Sequence, residues 1–285
     1  ACKADAMWSA EEKAGSPQWA DLIAELDRFA YENEPVFKKW QYIWGDPTSY
    51  IAKGVDVLNV AAGLGLKFWV EHLVKNRGKD PREFSKGRNA LQAAALYPDN
   101  NDVLRLFLSF PGMDATARGT SSPTKERSAL QDCLINGATE ETVRLFVESG
   151  ADFTKLYEES GDAPLHYFAA GKATDPAALT LILGSGGAHG RPNPDINAKN
   201  NAGNTPLHFL MLRRDVPLDL LKAFIAHGAD VNAENKLSLR PLQSACSWSE
   251  PEIVKILLSG GIDDIDDPDE TGGTALHTAA WVGSS

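Results

Sequence analysis

Short apolar runs recur along the chain at helical spacing, each followed by a polar stretch containing glycine. Leu220-Leu221-Lys222-Ala223-Phe224-Ile225 precedes His227-Gly228-Ala229-Asp230, and Val143-Arg144-Leu145-Phe146-Val147 precedes Gly150-Ala151-Asp152. Ile253–Leu258 precedes Gly260-Gly261 in the same way. Apolar positions three and four apart give each run one buried stripe, which predicts short amphipathic helices. The glycine supplies the left-handed residue on which such a helix ends. A second motif lies ahead of these runs: Thr205-Pro206-Leu207-His208, Ala163-Pro164-Leu165-His166 and Thr274-Ala275-Leu276-His277. Weaker copies surround Leu58, Leu91, Leu130 and Leu242, and the seven leucines are spaced 33, 39, 35, 42, 35 and 34 residues apart. Proline in the first turn of a helix costs no hydrogen bond, and a preceding Thr or Ser can cap the helix start. Each period therefore predicts a helix, a turn, a second helix and a polar excursion. No such unit buries its apolar face alone, so neighbours must stack.

The pattern resembles ankyrin repeats. Asn201-Ala202-Gly203-Asn204-Thr205-Pro206-Leu207-His208 through His227-Gly228-Ala229-Asp230-Val231-Asn232-Ala233 aligns the turn, both helices and the closing loop together. The resemblance runs from about residue 51 to Val282. The first three units depart most from the pattern, and the last stops after its first helix. It implies an all-α ankyrin-repeat solenoid of about seven helix-turn-helix units over 51–285, preceded by a helical N-terminal cap over 1–50.

The first fifty residues lie outside the repeat and carry Trp8, Trp19, Phe29, Tyr31, Phe37, Trp40, Tyr42, Trp44 and Tyr50. Ser16-Pro17 followed by Trp19–Tyr31 predicts one helix, and Glu34–Trp44 a second. A stacked array must cover its terminal face, which favours a cap over an aromatic binding surface. Asn33-Glu34-Pro35-Val36, Trp40, Trp44 and Val57–Val74 are also similar to the stretch preceding ankyrin arrays in fungal NACHT-type multidomain proteins. That resemblance implies a recognition portion of a larger protein. No Gly-rich loop ending in Gly-Lys-Ser or Gly-Lys-Thr occurs in the sequence. Two insertions, Ala115–Glu126 and Gly184–Pro194, break the period and are expected as mobile loops on the finger side.

Hydrophobic residues at 43% and charged residues at 24% suffice for a core without disulfide or metal. No apolar stretch is long enough to cross a bilayer, and Ala1–Gly15 has no signal-peptide core. The absent initiator Met reads as a fragment of a longer protein. A net charge of −11 argues against general nucleic-acid binding. Three scattered cysteines, Cys2, Cys133 and Cys246, suggest reduced thiols and a cytoplasmic or nuclear setting.

His166, His208 and His277 invite a zinc reading, but they share one repeat position and so stand on the order of 10 Å apart, where ligands must converge. They are expected to be structural, as the resemblance also implies. The acidic run from Asp263 to Glu270 lacks the glycine and distal glutamate of a calcium loop. Cys133 and Cys246 fall at small core positions, and no Ser sits in a nucleophile-elbow setting. No enzyme, cofactor or metal is expected.

In ankyrin repeats partners usually bind at the fingertips before each first helix and at that helix's exposed end. By register the resemblance points to Tyr97, Asn136, Asp162, Asn204, Arg213, Lys236, Leu239, Trp248 and Trp281 as partner-binding residues. Tyr97 and Trp248 share one repeat position, and aromatic or Arg side chains often dominate binding energy. The expectation is a monomeric, non-catalytic module holding a protein partner. Its alternative is a structural or autoinhibitory arm packed on its own parent chain.

Overall fold

The computed structural model describes residues 17–28, 30, 56–85, 87–97, 100–118, 127–157, 159–187, 190–247 and 251–283. Helix α1 (Pro17–Asp27) comes first. Pairs follow: α2 (Val57–Gly63) with α3 (Lys67–Lys75), α4 (Ala90–Ala94) with α5 (Asn101–Leu108), and α6 (Ala129–Gly137) with α7 (Glu140–Glu148). Then come α8 (Pro164–Ala170) with α9 (Pro176–Gly184), α10 (Pro206–Met211) with α11 (Leu218–Ala226), and α12 (Pro241–Cys246) with α13 (Pro251–Ser259). A single helix, α14 (Ala275–Gly283), ends the order. The class is all-α, and among the described residues the only β feature is an isolated bridge between Ser85 and Arg88.

Every first helix begins one residue before its repeat leucine, as the motif predicts. Local chemistry explains why. Asn89 and Gln92 bond reciprocally through side chain and backbone at 2.9 and 2.8 Å, as do Ser128 and Gln131. These capping boxes satisfy amides that have no intrahelical partner. Proline opens α8, α10 and α12. Gly228, with φ of 86°, closes α11 where a side chain would be strained.

Each first helix packs on the next first helix, and each second helix on the next second helix from α3 to α13. The result is two helical layers with one continuous core. Leu58, Leu91, Leu130, Leu165, Leu207 and Leu242 are all buried in it. Leu276 corrects the expectation that all seven leucines are core, because it is 72% exposed. Among the described residues α14 packs on α12 and has no second helix beside it. An open groove lined by Leu242, Val254, Ile265, Leu276 and Ala279 lies between α14 and the preceding helix pair.

The Gly184–Pro194 insertion also differs from expectation. Its described residues follow the C-terminal end of α9 rather than forming a finger, and Arg191 anchors them. Arg191 donates its N–H to the Gly186 carbonyl at 3.0 Å and its guanidinium to the Gly150 carbonyl at 2.9 Å. A Cβ on Gly186 would lie 2.1 Å from the Pro192 carbonyl oxygen, so the loop's close approach requires glycine. Most of the other insertion, residues 119–126, and the expected second N-terminal helix lie outside the described residues.

Candidate functional site

The fingers are polar loops held by one recurrent device. Asn200 Oδ1 accepts the N–H groups of Ala202 and Asn204, each at 3.0 Å. Seven residues before the next two leucines, Asn235 and Asp269 do the same for Leu237 and Leu239 and for Thr271 and Gly273. A short polar side chain that bonds its own backbone two residues on is what makes such a turn. Neighbouring fingers are then tied by single backbone bonds. Asn201 N–H reaches Ser160 O at 2.8 Å, Lys236 N–H reaches Ala202 O at 2.9 Å, and Glu270 N–H reaches Leu237 O at 3.2 Å.

The same network consumes several residues proposed from register as partner contacts. Asp162 is buried and accepts the Asn200 amide at 2.7 Å. Asn204 accepts the Asn235 amide at 2.7 Å, and its carbonyl takes a bond from His166 at 2.9 Å. Leu239 is half-buried, with its carbonyl accepting from His208. Asn136 is half-buried and donates back to the Asp132 carbonyl at 2.8 Å. Arg213 corrects its expected place at the exposed end of a first helix: only 8% exposed, it donates to the Ala173 carbonyl at 2.8 Å and the Asp215 carbonyl at 3.2 Å. Its five donors let it tie a loop across repeats, a task a solvent-facing arginine would not have.

Tyr97, Lys236 and Trp281 remain on the surface, at 41% exposure for Tyr97 and 82% for Trp281. Trp248 lies outside the described residues. The exposed set also contains Leu212 and Leu237, at a helix end and a fingertip. Leu64 and Phe84 join it without having been singled out. A signal for Leu64 was present, since it follows Leu58 by six residues as Tyr97 follows Leu91.

The candidate reactive groups are held in inert states. Burial pushes the thiols of Cys133 and Cys246 upward, away from the thiolate a nucleophile needs. His166 Nδ1 accepts the Ala163 N–H at 3.0 Å while Nε2 donates to Asn204 O. His208 repeats this with the Thr205 N–H at 3.1 Å and the Leu239 carbonyl at 3.0 Å. An amide must donate and a carbonyl must accept, so both rings are fixed as the neutral Nε2–H tautomer. Both ring nitrogens are thereby occupied by the protein. Among the described residues no group of His, Cys, Asp or Glu is placed to hold a metal ion.

A family model described as Ankyrin repeats (3 copies) matches residues 165–266 and 211–285. The chain carries ankyrin repeats. The human ASB11 ankyrin repeat domain, a crystal structure, superposes with a TM-score of 0.64 at 18% identity, covering 79% of this chain and 91% of that one. That likeness extends the ankyrin fold beyond the matched repeats. The nuclear factor NF-kappa-B p105 subunit of Gallus gallus is 31% identical over 144 residues, 50% of this chain and 14% of the relative. The human transient receptor potential cation channel subfamily A member 1 is 26% identical over 209 residues, 72% of this chain and 18% of the relative. The chain thus spans less than a fifth of either curated relative. Ankyrin repeats are generally protein–protein interaction modules and generally non-catalytic. Among the described residues no helix is long and apolar enough to cross a membrane.

Proposed function

We propose that this ankyrin array is a non-catalytic recognition module that holds a protein partner across its first-helix ends and fingertips. One observation supports the reading above others. Tyr97 and Leu212 at helix ends and Leu237 at a fingertip stand exposed, and none of them builds the core. Solvent alone gives large apolar side chains no reason to recur at binding positions, whereas partner contact does. The net charge of −11 makes a basic protein surface the more compatible partner and nucleic acid an unsuitable one. The reading extends to a monomer in the cytoplasm or nucleus, acting within a larger protein. The relatives support this last point, since the matched region is a minor part of each.

The test is affinity capture with the whole chain beside a Tyr97→Ala/Leu212→Ala/Leu237→Ala variant of equal melting temperature. A partner retained by the first and lost by the second supports the surface. A partner held equally by both overturns it.

A further inference from the structure

The second helices from α3 to α13 stack in one row, each on the next. The groove between α13 and α14 has a volume of about 600 Å³ and lies where that row would continue. Pro251, Val254 and Lys255 of α13 line it, with Leu276 and Ala279 of α14 and Ile265 of the intervening loop. Leu276 and Ile265 are exposed, as is Leu258, one helical turn beyond Val254. The second helices α11 and α13 are nine residues long, so the groove suits a helix of about that length.

The loop after α13 specifies what the end of such a helix must carry. Ten residues before Leu207, Asn197 donates its amide at 2.9 Å to the carbonyl of Gly228, two residues past α11. Its Oδ1 accepts the Asp230 N–H at 2.8 Å. Ten residues before Leu242, Asn232 bonds Gly261 O at 2.9 Å, two residues past α13, and accepts the Asp263 N–H at 3.1 Å. Asparagine suits that place because it both donates to a carbonyl and accepts from an amide. Ten residues before Leu276 stands Asp266, which lines the groove. A carboxylate only accepts, so it repels the carbonyl-rich end of a helix unless that end carries a cation. Asp263 and Asp264 stand exposed beside it. Lys255, the basic residue of the described lining, is already held by Glu252 at 2.7 Å.

We propose that this groove docks an amphipathic helix of a partner protein. The helix covers Val254 and Leu276 with its apolar face and presents Lys or Arg in its last turn to Asp266. Cations in the last turn also favour the helix itself, so the acidic loop and the helix dipole select the same end. The site goes beyond the helix-end and fingertip surface and lies apart from it, at the end of the array.

Fluorescence anisotropy with the whole chain tests the proposal. The probe is a labelled amphipathic peptide with leucines three and four apart and two lysines in its last turn, beside the same peptide with glutamines there. The lysine peptide should bind saturably, and Leu276→Gln should weaken it about fivefold or more. Asp266→Asn should weaken the lysine peptide about fivefold and leave the glutamine peptide unweakened. The turn survives that change, because it is the Asp266 backbone N–H that bonds Asp264 Oδ1, at 2.9 Å. Tyr97→Ala should alter neither affinity, which separates this site from the surface proposed above. Lack of saturable binding overturns the proposal. Equal weakening of both peptides by Asp266→Asn also overturns it, since the acidic loop would then not read the basic end. Sedimentation of the chain alone as a dimer that Leu276→Gln dissociates would make the groove a contact between two copies, and overturn it as well.

Discussion

The imidazole Nε2–H of His208 donates to the carbonyl of Leu239, 31 residues on, at 3.0 Å. The geometry recurs along the array. Asn59 reaches Arg88 O, Gln92 reaches Arg127 O, His166 reaches Asn204 O, and Gln243 reaches Gly273 O. In each case the donor follows one repeat leucine and the acceptor lies three residues before the next. The side chain's other end caps its own helix, as Gln92 does for Asn89 and His208 for Thr205. At Gln92, His166, His208 and Gln243 one residue thus fixes both a helix start and the register of the following finger. At one step the device changes: the Asp162 carbonyl takes the Tyr157 N–H at 3.0 Å.

This geometry gives His208 a predictable pH response. Burial lowers its pKa from 6.5, with the bond to Leu239 O opposing only in part. The unfolded chain therefore takes up a proton more readily than the folded one, so stability falls as pH drops below about 6.5. Gln holds the same position in other repeats and makes the same bonds without titrating. His208→Gln should fold normally and show a shallower loss of melting temperature between pH 7.5 and 5.5. His208→Ala should cost about 1–3 kcal/mol at pH 7.5, because buried partners lose their bonds. Thermal denaturation across that pH range measures both, and an unchanged slope in the Gln variant would remove His208 as the titrating group.

Two leucines at one motif position should behave oppositely. Leu207→Ala removes a fully buried side chain and should destabilise by roughly 2–5 kcal/mol. Leu276→Ala, on the open face of α14, should change stability by no more than about 0.5 kcal/mol. Urea denaturation compares them directly. Equal losses would mean that Leu276 is covered in solution.

Asp132 is buried on α6 and paired with Arg88 of the preceding finger. Burial pushes its carboxyl upward, with Arg88 and the more distant Arg127 opposing. Removing Arg88 leaves the buried carboxylate only the more distant Arg127, so Arg88→Met should cost about 3–5 kcal/mol. Arg88→Met/Asp132→Leu should recover most of that loss. A double-mutant cycle by chemical denaturation checks it, and simple additivity of the two losses would refute the coupling.

The repeat positions were legible because core formation repeats: an apolar residue every 33–42 positions is a signal that chance does not generate. Helix starts followed from the same motif through capping chemistry. Burial of a given residue was legible only where a neighbour exists on both sides. Leu276 has the motif of Leu207 but, among the described residues, no second helix packs over it, and no local pattern encodes that. Surface assignments suffered from the reverse problem. Arg213 and Asp162 read as solvent-facing by register, yet each finds acceptors or donors 38–40 residues away. Such partners follow from how adjacent units stack, and a sequence read one repeat at a time does not contain them. Tyr97 and Trp281, read from the same register, do lie on the surface.

The proposed binding surface can accordingly be separated from the scaffold by substitution. Tyr97 and Leu212 are exposed at helix ends, and removing either leaves every inter-repeat bond described above in place. Tyr97→Ala and Leu212→Ala should each weaken partner binding by at least ~1 kcal/mol, the usual mark of an energetically important contact. Their melting temperatures should stay within about a degree of the parent, since surface truncations change stability little. Arg213→Ala should do the opposite. It strips the donors from the buried carbonyl of Ala173 and the part-buried carbonyl of Asp215, so it should lower the melting temperature by several degrees, the equivalent of about 1–3 kcal/mol. Partner affinity, measured at a temperature where the variant is fully folded, should change little. Calorimetric titration paired with thermal melts gives both quantities for each variant. If Arg213→Ala loses affinity while keeping its melting temperature, the side chain leaves its buried bonds to meet the partner. The helix-end surface would then have to be redrawn around it.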